Sequence, residues 1–208
     1  MALIERNILP LRGVWKIDES TERLLEHFRD DEIIRRVTMT IRSESRRREW
    51  LAVRCLTDAL LGERTEIYYM SDGSPLLADS DYHISISHTR GYAAVVLDLF
   101  QRTGIDIEYH SERAFKLRSR FLDEEELSML DLYGNNPGVI ATLFWCAKET
   151  FFKALGQQQV NFIKQLKILP SPSFDDRNGD FMLQESYTGK RYPASFKIEK
   201  DYVMSWMK

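Results

Sequence analysis

The chain has 208 residues, a formal net charge of −3 and 43% hydrophobic residues. That apolar content suffices for one large core or two smaller ones and excludes a disordered chain, while the acidic balance gives no global case for a nucleic-acid or membrane partner. Cys55 and Cys146 lack metal-ligand spacing, and neither a secretory leader nor an apolar run of about 18 residues is read, so the expectation is a reduced, cytoplasmic protein with no membrane partner.

Residues 18–36 place Leu24, Leu25, Phe28 and Ile33 at helical spacing with charges between, which predicts one amphipathic helix. A second helix is predicted from Ser43 or Ser45 to Leu61, with Gly62 as its stop and Trp50, Leu51, Leu56 and Leu60 on its core face. Residues 66–70 read as a strand and 71–75, Ser-Asp-Gly-Ser-Pro, as a turn. Residues 83–87, 92–100 and 103–108 then read as three antiparallel strands in series, the middle one nearly all apolar over 93–97.

Asp123 followed by Glu126 has the capping-box pattern and opens a helix that Gly134 can end. A loop over 135–138 leads to a helix over 139–155, with Ile140, Phe144, Ala147, Phe151 and Leu155 on its buried face. Strands are predicted at 164–169, 181–187, 192–199 and 202–207, with a polar loop around 171–179. Helices followed by strands, twice over, predict an α+β protein. The expected architecture is two similar α/β lobes related by pseudo-twofold symmetry, 1–103 and 104–208, each a small antiparallel sheet packed with helices.

Two segments carry the chemistry. In Gly104-Ile105-Asp106-Ile107-Glu108 the period-two alternation turns both carboxylates to one side of a strand, close enough to share a hard cation such as magnesium. The same alternation is what any half-exposed strand shows. In the segment from Trp145 to Lys153, Glu149 and Lys153 stand one helical turn apart, either as an ordinary surface pair or as a carboxylate and an ammonium for a metal-bound polyphosphate. Lys148 lies about 100° around the helix from Glu149 and need not meet the same ligand atom. Ser87 and His88 end a strand, where an imidazole can bind phosphate, act in acid–base chemistry or cap a turn. Arg46, Arg47 and Arg48 open the long helix, either as a solvated surface cluster or with at most one or two of them clamping a phosphate.

Taken in order, these segments resemble the 4′-phosphopantetheinyl transferases of the two-lobed type that activate peptide synthetases and similar carrier-protein systems. The resemblance rests on Arg48, the 72–76 turn, Ser87-His88, residues 104–108, and Trp145 with Lys148, Glu149, Phe152 and Lys153; it spans about 45–155. It implies transfer of the 4′-phosphopantetheine arm of coenzyme A to a serine of an apo acyl or peptidyl carrier protein, with release of adenosine 3′,5′-bisphosphate. The implied ligands of Mg2+ are Asp106, Glu108 and Glu149, with Lys153 on the pyrophosphate and Arg48 and His88 on the adenosine 3′-phosphate. Ser87 and Lys148 are further expected contacts of coenzyme A, and Glu149 can accept the serine proton. The nucleotide is expected between the lobes of a monomer. Ser74 departs from the lysine often found in that turn.

Carrier proteins usually present an acidic helix beside the acceptor serine, and Arg113, Lys116, Arg118 and Arg120 form a basic stretch that is either a docking surface or a solvated face. The rival readings are an inactive coenzyme A-binding homologue, a magnesium-dependent nucleotide phosphohydrolase, and a nucleic-acid module built on the arginine clusters. The net negative charge argues against the last.

Overall fold

Two antiparallel sheets, each packed against one long helix, organise the chain. The computed structural model describes residues 2–28, 31–133, 136–156, 160–170 and 177–208, with backbone alone at 31. Contacts divide it into two units, Met1–Leu99 and Phe100–Lys208. The described part is thus α+β with antiparallel sheets and helices.

In the first unit, β1 (Leu3–Ile8) and β2 (Leu11–Lys16) form a hairpin that the sequence reading lacked. Its outer strand is half-exposed along its length, so it shows little apolar signal. Helices α1 (Thr21–Leu25) and α2 (Asp31–Thr40) replace the single helix predicted over 18–36. The first ends because His27 N and Phe28 N bond the carbonyls three residues back, Leu24 and Leu25, which tightens the turn and buries Phe28. Then α3 (Glu44–Leu61) starts at Ser43, whose side chain accepts from Arg46 N, and stops at Gly62 in the left-handed region (φ 79°). The small hairpin of β3 (Ile67–Tyr69) and β4 (Pro75–Leu77) follows, and β5 (His83–Thr89) and β6 (Tyr92–Asp98) complete the main sheet in the order β1-β2-β6-β5. The helix α3 packs on β2 and β6, and Trp15, Leu24, Phe28, Leu51, Leu56, Val95 and Leu97 belong to the core they enclose.

The predicted three-strand series is corrected here. Strand β6 pairs with β2 on one side and β5 on the other, so neither edge is left for a third partner. The next strand, β7 (Ile105–Tyr109), instead pairs with β11 (Tyr202–Met207) in the second unit.

The second unit continues with α4 (Glu112–Leu117), a 3-10 turn over Arg118–Arg120, and α5 (Glu124–Met129). The capping box is present in both directions: Glu126 N donates to Asp123 Oδ1 at 2.8 Å and Asp123 N to Glu126 Oε2 at 2.9 Å. The proposed stop at Gly134 and the start of the 135–138 loop lie outside the described residues. Helix α6 (Pro137–Leu155) begins two residues before the predicted start, because Asn136 accepts from Gly138 N and Val139 N and Pro137 fits the first helical position.

A helical turn, α7 (Phe162–Gln165), capped by Asn161, takes the first residues of the strand predicted at 164–169, which shortens to β8 (Leu166–Leu169). Of the predicted 171–179 loop, 171–176 lie outside the described residues, and β9 (Asn178–Glu185) already begins within the remainder. With β10 (Arg191–Ile198), the second sheet runs β7-β11-β10-β9-β8. Its core with α6 includes Phe144, Phe151, Phe181 and Phe196, the last two stacked at 4.7 Å between ring centroids. Among the described residues no helix is long and apolar enough to cross a membrane.

Candidate active site

Asp106 and Glu108 sit on β7 opposite Ser205 and Val203 of β11. Val203 and Ser205 are on the face of the sheet that meets α6: Val203 belongs to the core there, and Thr150 Oγ1 on α6 lies 2.5 Å from Ser205 Oγ. Alternation puts Asp106 and Glu108 on that same face, with Ile105 and Ile107 on the other. Gly104 is what lets the strand come so near. A Cβ at Gly104 would stand 2.0 Å from the Thr150 carbonyl oxygen, so any other residue would push β7 off the helix.

On α6 the helical period brings Glu149 and Lys153 to the edge of this contact. Lys153 Nζ donates to Asp106 Oδ1 at 2.7 Å and to the Ile105 carbonyl at 3.0 Å. Asp106 is nearly buried and Lys153 about a quarter exposed (side chains 6% and 26%). The Glu149 carboxyl stands at about 7: burial raises it most, the Asp106 charge raises it next, Lys153 lowers it and Glu108 raises it again. Three carboxylates and one ammonium therefore act on one another. Cys146, wholly buried behind them, is raised well above the usual thiol range by burial and then by Asp106, which keeps it a thiol and out of nucleophilic chemistry.

A family description, the 4′-phosphopantetheinyl transferase superfamily, matches residues 102–206, just over half of the chain and all of the second sheet but Met207. The chain belongs to this superfamily. As a member it is a transferase of the phosphopantetheinyl type. Comparison with curated proteins gives no match.

The superfamily generally uses coenzyme A and Mg2+. Among the described residues no three His, Cys, Asp or Glu side chains are gathered closely enough to hold a metal ion, and it is Lys153 that neutralises Asp106. The donor set fits a magnesium ion all the same. Its members are hard oxygen ligands, and after burial, which raises the Glu149 carboxyl most, the Asp106 and Glu108 charges raise it too, an effect a cation would offset.

Lys148 is not part of this group. Its side chain is fully buried, and Nζ donates to Glu126 Oε2 at 2.6 Å, to the Phe121 carbonyl at 2.7 Å and to the Phe162 carbonyl at 2.9 Å. An ammonium has three donors, so none is left for coenzyme A, and the expected ligand contact is corrected to a core ion pair. Burial lowers Lys148 and raises Glu126. The aromatic residues beside Glu149 and Lys153 on α6 are core as well: Trp145 packs edge-on against Phe121 with centroids 5.1 Å apart, and Phe151 is fully buried.

In the first unit, His88 follows Ile84 and Ile86 on one face of β5, the face that packs with the α3 core. Its ring lies 3.4 Å from Arg46 and 3.5 Å from Glu49, which are themselves 3.3 Å apart. The arginine at His88 is thus Arg46, about 200° around the helix from Arg48. Arg48 Nε is buried and, among the described residues, finds no hydrogen-bond partner. Ser87 is buried opposite Ala94. Ser74 donates from its backbone and hydroxyl to Asp72 Oδ1 at 2.9 and 2.6 Å, closing the turn on itself. Glu49 was absent from the sequence reading; its three-residue spacing from Arg46 was the available signal.

Proposed function

We propose that this protein transfers 4′-phosphopantetheine from coenzyme A to the serine of an apo acyl or peptidyl carrier protein in a magnesium-dependent reaction, acting as a monomer and releasing adenosine 3′,5′-bisphosphate. The observation that carries this reading is the coupling of Glu149 to Asp106, Glu108 and Lys153 in a chain of this superfamily.

Asp106, Glu108 and Glu149 are the residues that would hold magnesium, which when bound supplies positive charge beside the pyrophosphate. Lys153 donates to the same pyrophosphate and stabilises charge on the departing bisphosphate. The serine oxygen bonds to the phosphorus that bears pantetheine, the bond from that phosphorus to the bridging oxygen breaks, and the serine proton passes to a carboxylate. Glu149, the carboxylate one helical turn from Lys153, is the residue assigned to that last role. Arg48, Ser87 and His88 are assigned to the adenosine end of coenzyme A. The buried, unpartnered Nε of Arg48 is a donor suited to an anion.

Incubating the protein with coenzyme A, Mg2+ and a panel of purified apo carrier proteins, followed by intact-mass measurement, tests the reading. A phosphopantetheine-sized gain on one carrier supports it. Release of adenosine 3′,5′-bisphosphate without any mass gain would mean a hydrolase instead, and no reaction with any carrier, together with undetectable coenzyme A binding, would overturn the assignment.

A further inference from the structure

The Lys153–Asp106 pair has a bearing on the order in which ligands arrive. Asp106 is the most buried of the three carboxylates, and a buried carboxylate is costly unless something neutralises it. Lys153 does so at 2.7 Å, and its second hydrogen bond, to the Ile105 carbonyl, fixes the ammonium at the base of β7 rather than leaving it to sample solvent. A divalent cation needs the same carboxylate oxygens. Lys153 must therefore leave Asp106, or tolerate a second positive charge beside it, before such a cation is held well.

We propose that Lys153 is a resident counter-ion that makes cation binding conditional on an anionic ligand. This rests on the reading of Asp106, Glu108 and Glu149 as metal ligands. In the free protein the ammonium competes with a divalent cation for Asp106. A pyrophosphate ester placed beside the helix offers the ammonium a more highly charged partner, draws Nζ from Asp106 and leaves the carboxylate open. Cation and pyrophosphate ligand then bind with positive coupling, and each strengthens the other by the same factor. The arrangement also keeps the acidic cluster from taking up free divalent cations without substrate.

The test is equilibrium binding of Mn2+, followed by its electron paramagnetic resonance signal, to the full chain with and without coenzyme A. Wild-type protein should bind Mn2+ at least about tenfold more weakly alone than with coenzyme A, within the usual range of coupling between sites. Lys153→Met, which keeps the length of the stem, should tighten Mn2+ binding to the free protein by a similar factor and shrink the coupling. A 15N signal from Lys153 Nζ should shift when coenzyme A is added without metal, a readout that survives if the variant folds poorly. Equal Mn2+ affinity in free wild type and Lys153→Met, or an Nζ signal unmoved by coenzyme A, overturns the proposal while leaving the metal site intact. Absence of Mn2+ binding even with coenzyme A bound, in wild type and Asp106→Asn alike, would instead remove the metal reading beneath it.

Discussion

Lys148 Nζ lies 2.6 Å from Glu126 Oε2, and neither side chain is exposed to solvent. Glu126 is also the acceptor for Ile168 N at 2.8 Å and for the N-cap amide of α5, so one carboxylate joins α5, α6 and β8. Burial opposes both charges, and removing one partner strands the other. Lys148→Met should therefore cost about 3–5 kcal/mol, whereas replacing both with apolar residues of similar volume should cost much less than the sum. Urea unfolding of the two single variants and the double variant checks this. Additive losses would show that the pair is not acting as a unit.

Gly104 stands where a Cβ would meet the Thr150 carbonyl at 2.0 Å and Ala154 N at 3.2 Å, both backbone atoms of α6 with no rotamer to yield. Gly104→Ala should displace β7 from the helix, lower stability by more than the roughly 1–3 kcal/mol of ordinary overpacking, and separate Asp106 from Lys153. Thermal unfolding reports the first effect and loss of transfer activity the second. A variant with wild-type melting would mean that the strand has slack the geometry does not reveal.

The reading from letters succeeded where the local pattern and the tertiary demand agree. The capping box at Asp123 and Glu126, the Gly62 end of α3 with its start narrowed to Ser43 or Ser45, and the alternating 104–108 strand were all visible, because each is set by neighbours within a few residues. It failed where distant partners decide. Strand β7 leaves the preceding strands because β2, from the start of the chain, has already filled the edge of β6, and nothing local to 103–108 records that. Lys148 looked like a ligand contact because its environment is made by Phe121, Glu126 and Phe162, which only the fold assembles. Alternation on a strand places Asp106 with Glu108, and the four-residue step on a helix places Glu149 with Lys153, while the bond from Lys153 to Asp106 spans 47 residues and needed coordinates.

Glu149 should leave a mark on stability as well as on activity. Its carboxyl is raised from 4.5 to about 7 in the folded chain, mainly by burial and by Asp106. Between these values the folded state holds a proton that the unfolded state has released, so stability falls as pH rises through that window and is flat above it. The size is of order 2–3 kcal/mol, reduced by the partial access of solvent to the group. Unfolding midpoints from pH 4.5 to 8 in the presence of a chelator should show the decline, and Glu149→Gln should reduce it, leaving the share of other buried carboxyls such as Glu126. An identical slope in both proteins would place the proton elsewhere.

The exposed charges of α4 and the turn after it offer the final test. Arg113, Lys116 and Arg120 are exposed, whereas the guanidinium of Arg118 lies 4.1 Å from the Phe115 ring centroid and donates to the Phe115 carbonyl. Of the four basic residues, the three exposed ones are thus presented to solvent and Arg118 is held against the protein. If this face receives the acidic helix of a carrier protein, Lys116→Glu with Arg120→Glu should raise the carrier KM by about tenfold or more and flatten its dependence on salt, because exposed interfacial charges act chiefly on association. Coenzyme A affinity and kcat should stay near wild type, since neither residue belongs to the Asp106–Glu149–Lys153 group. Steady-state kinetics at several ionic strengths separates these outcomes. A carrier KM that does not respond to reversing two charges would place the docking surface on another face.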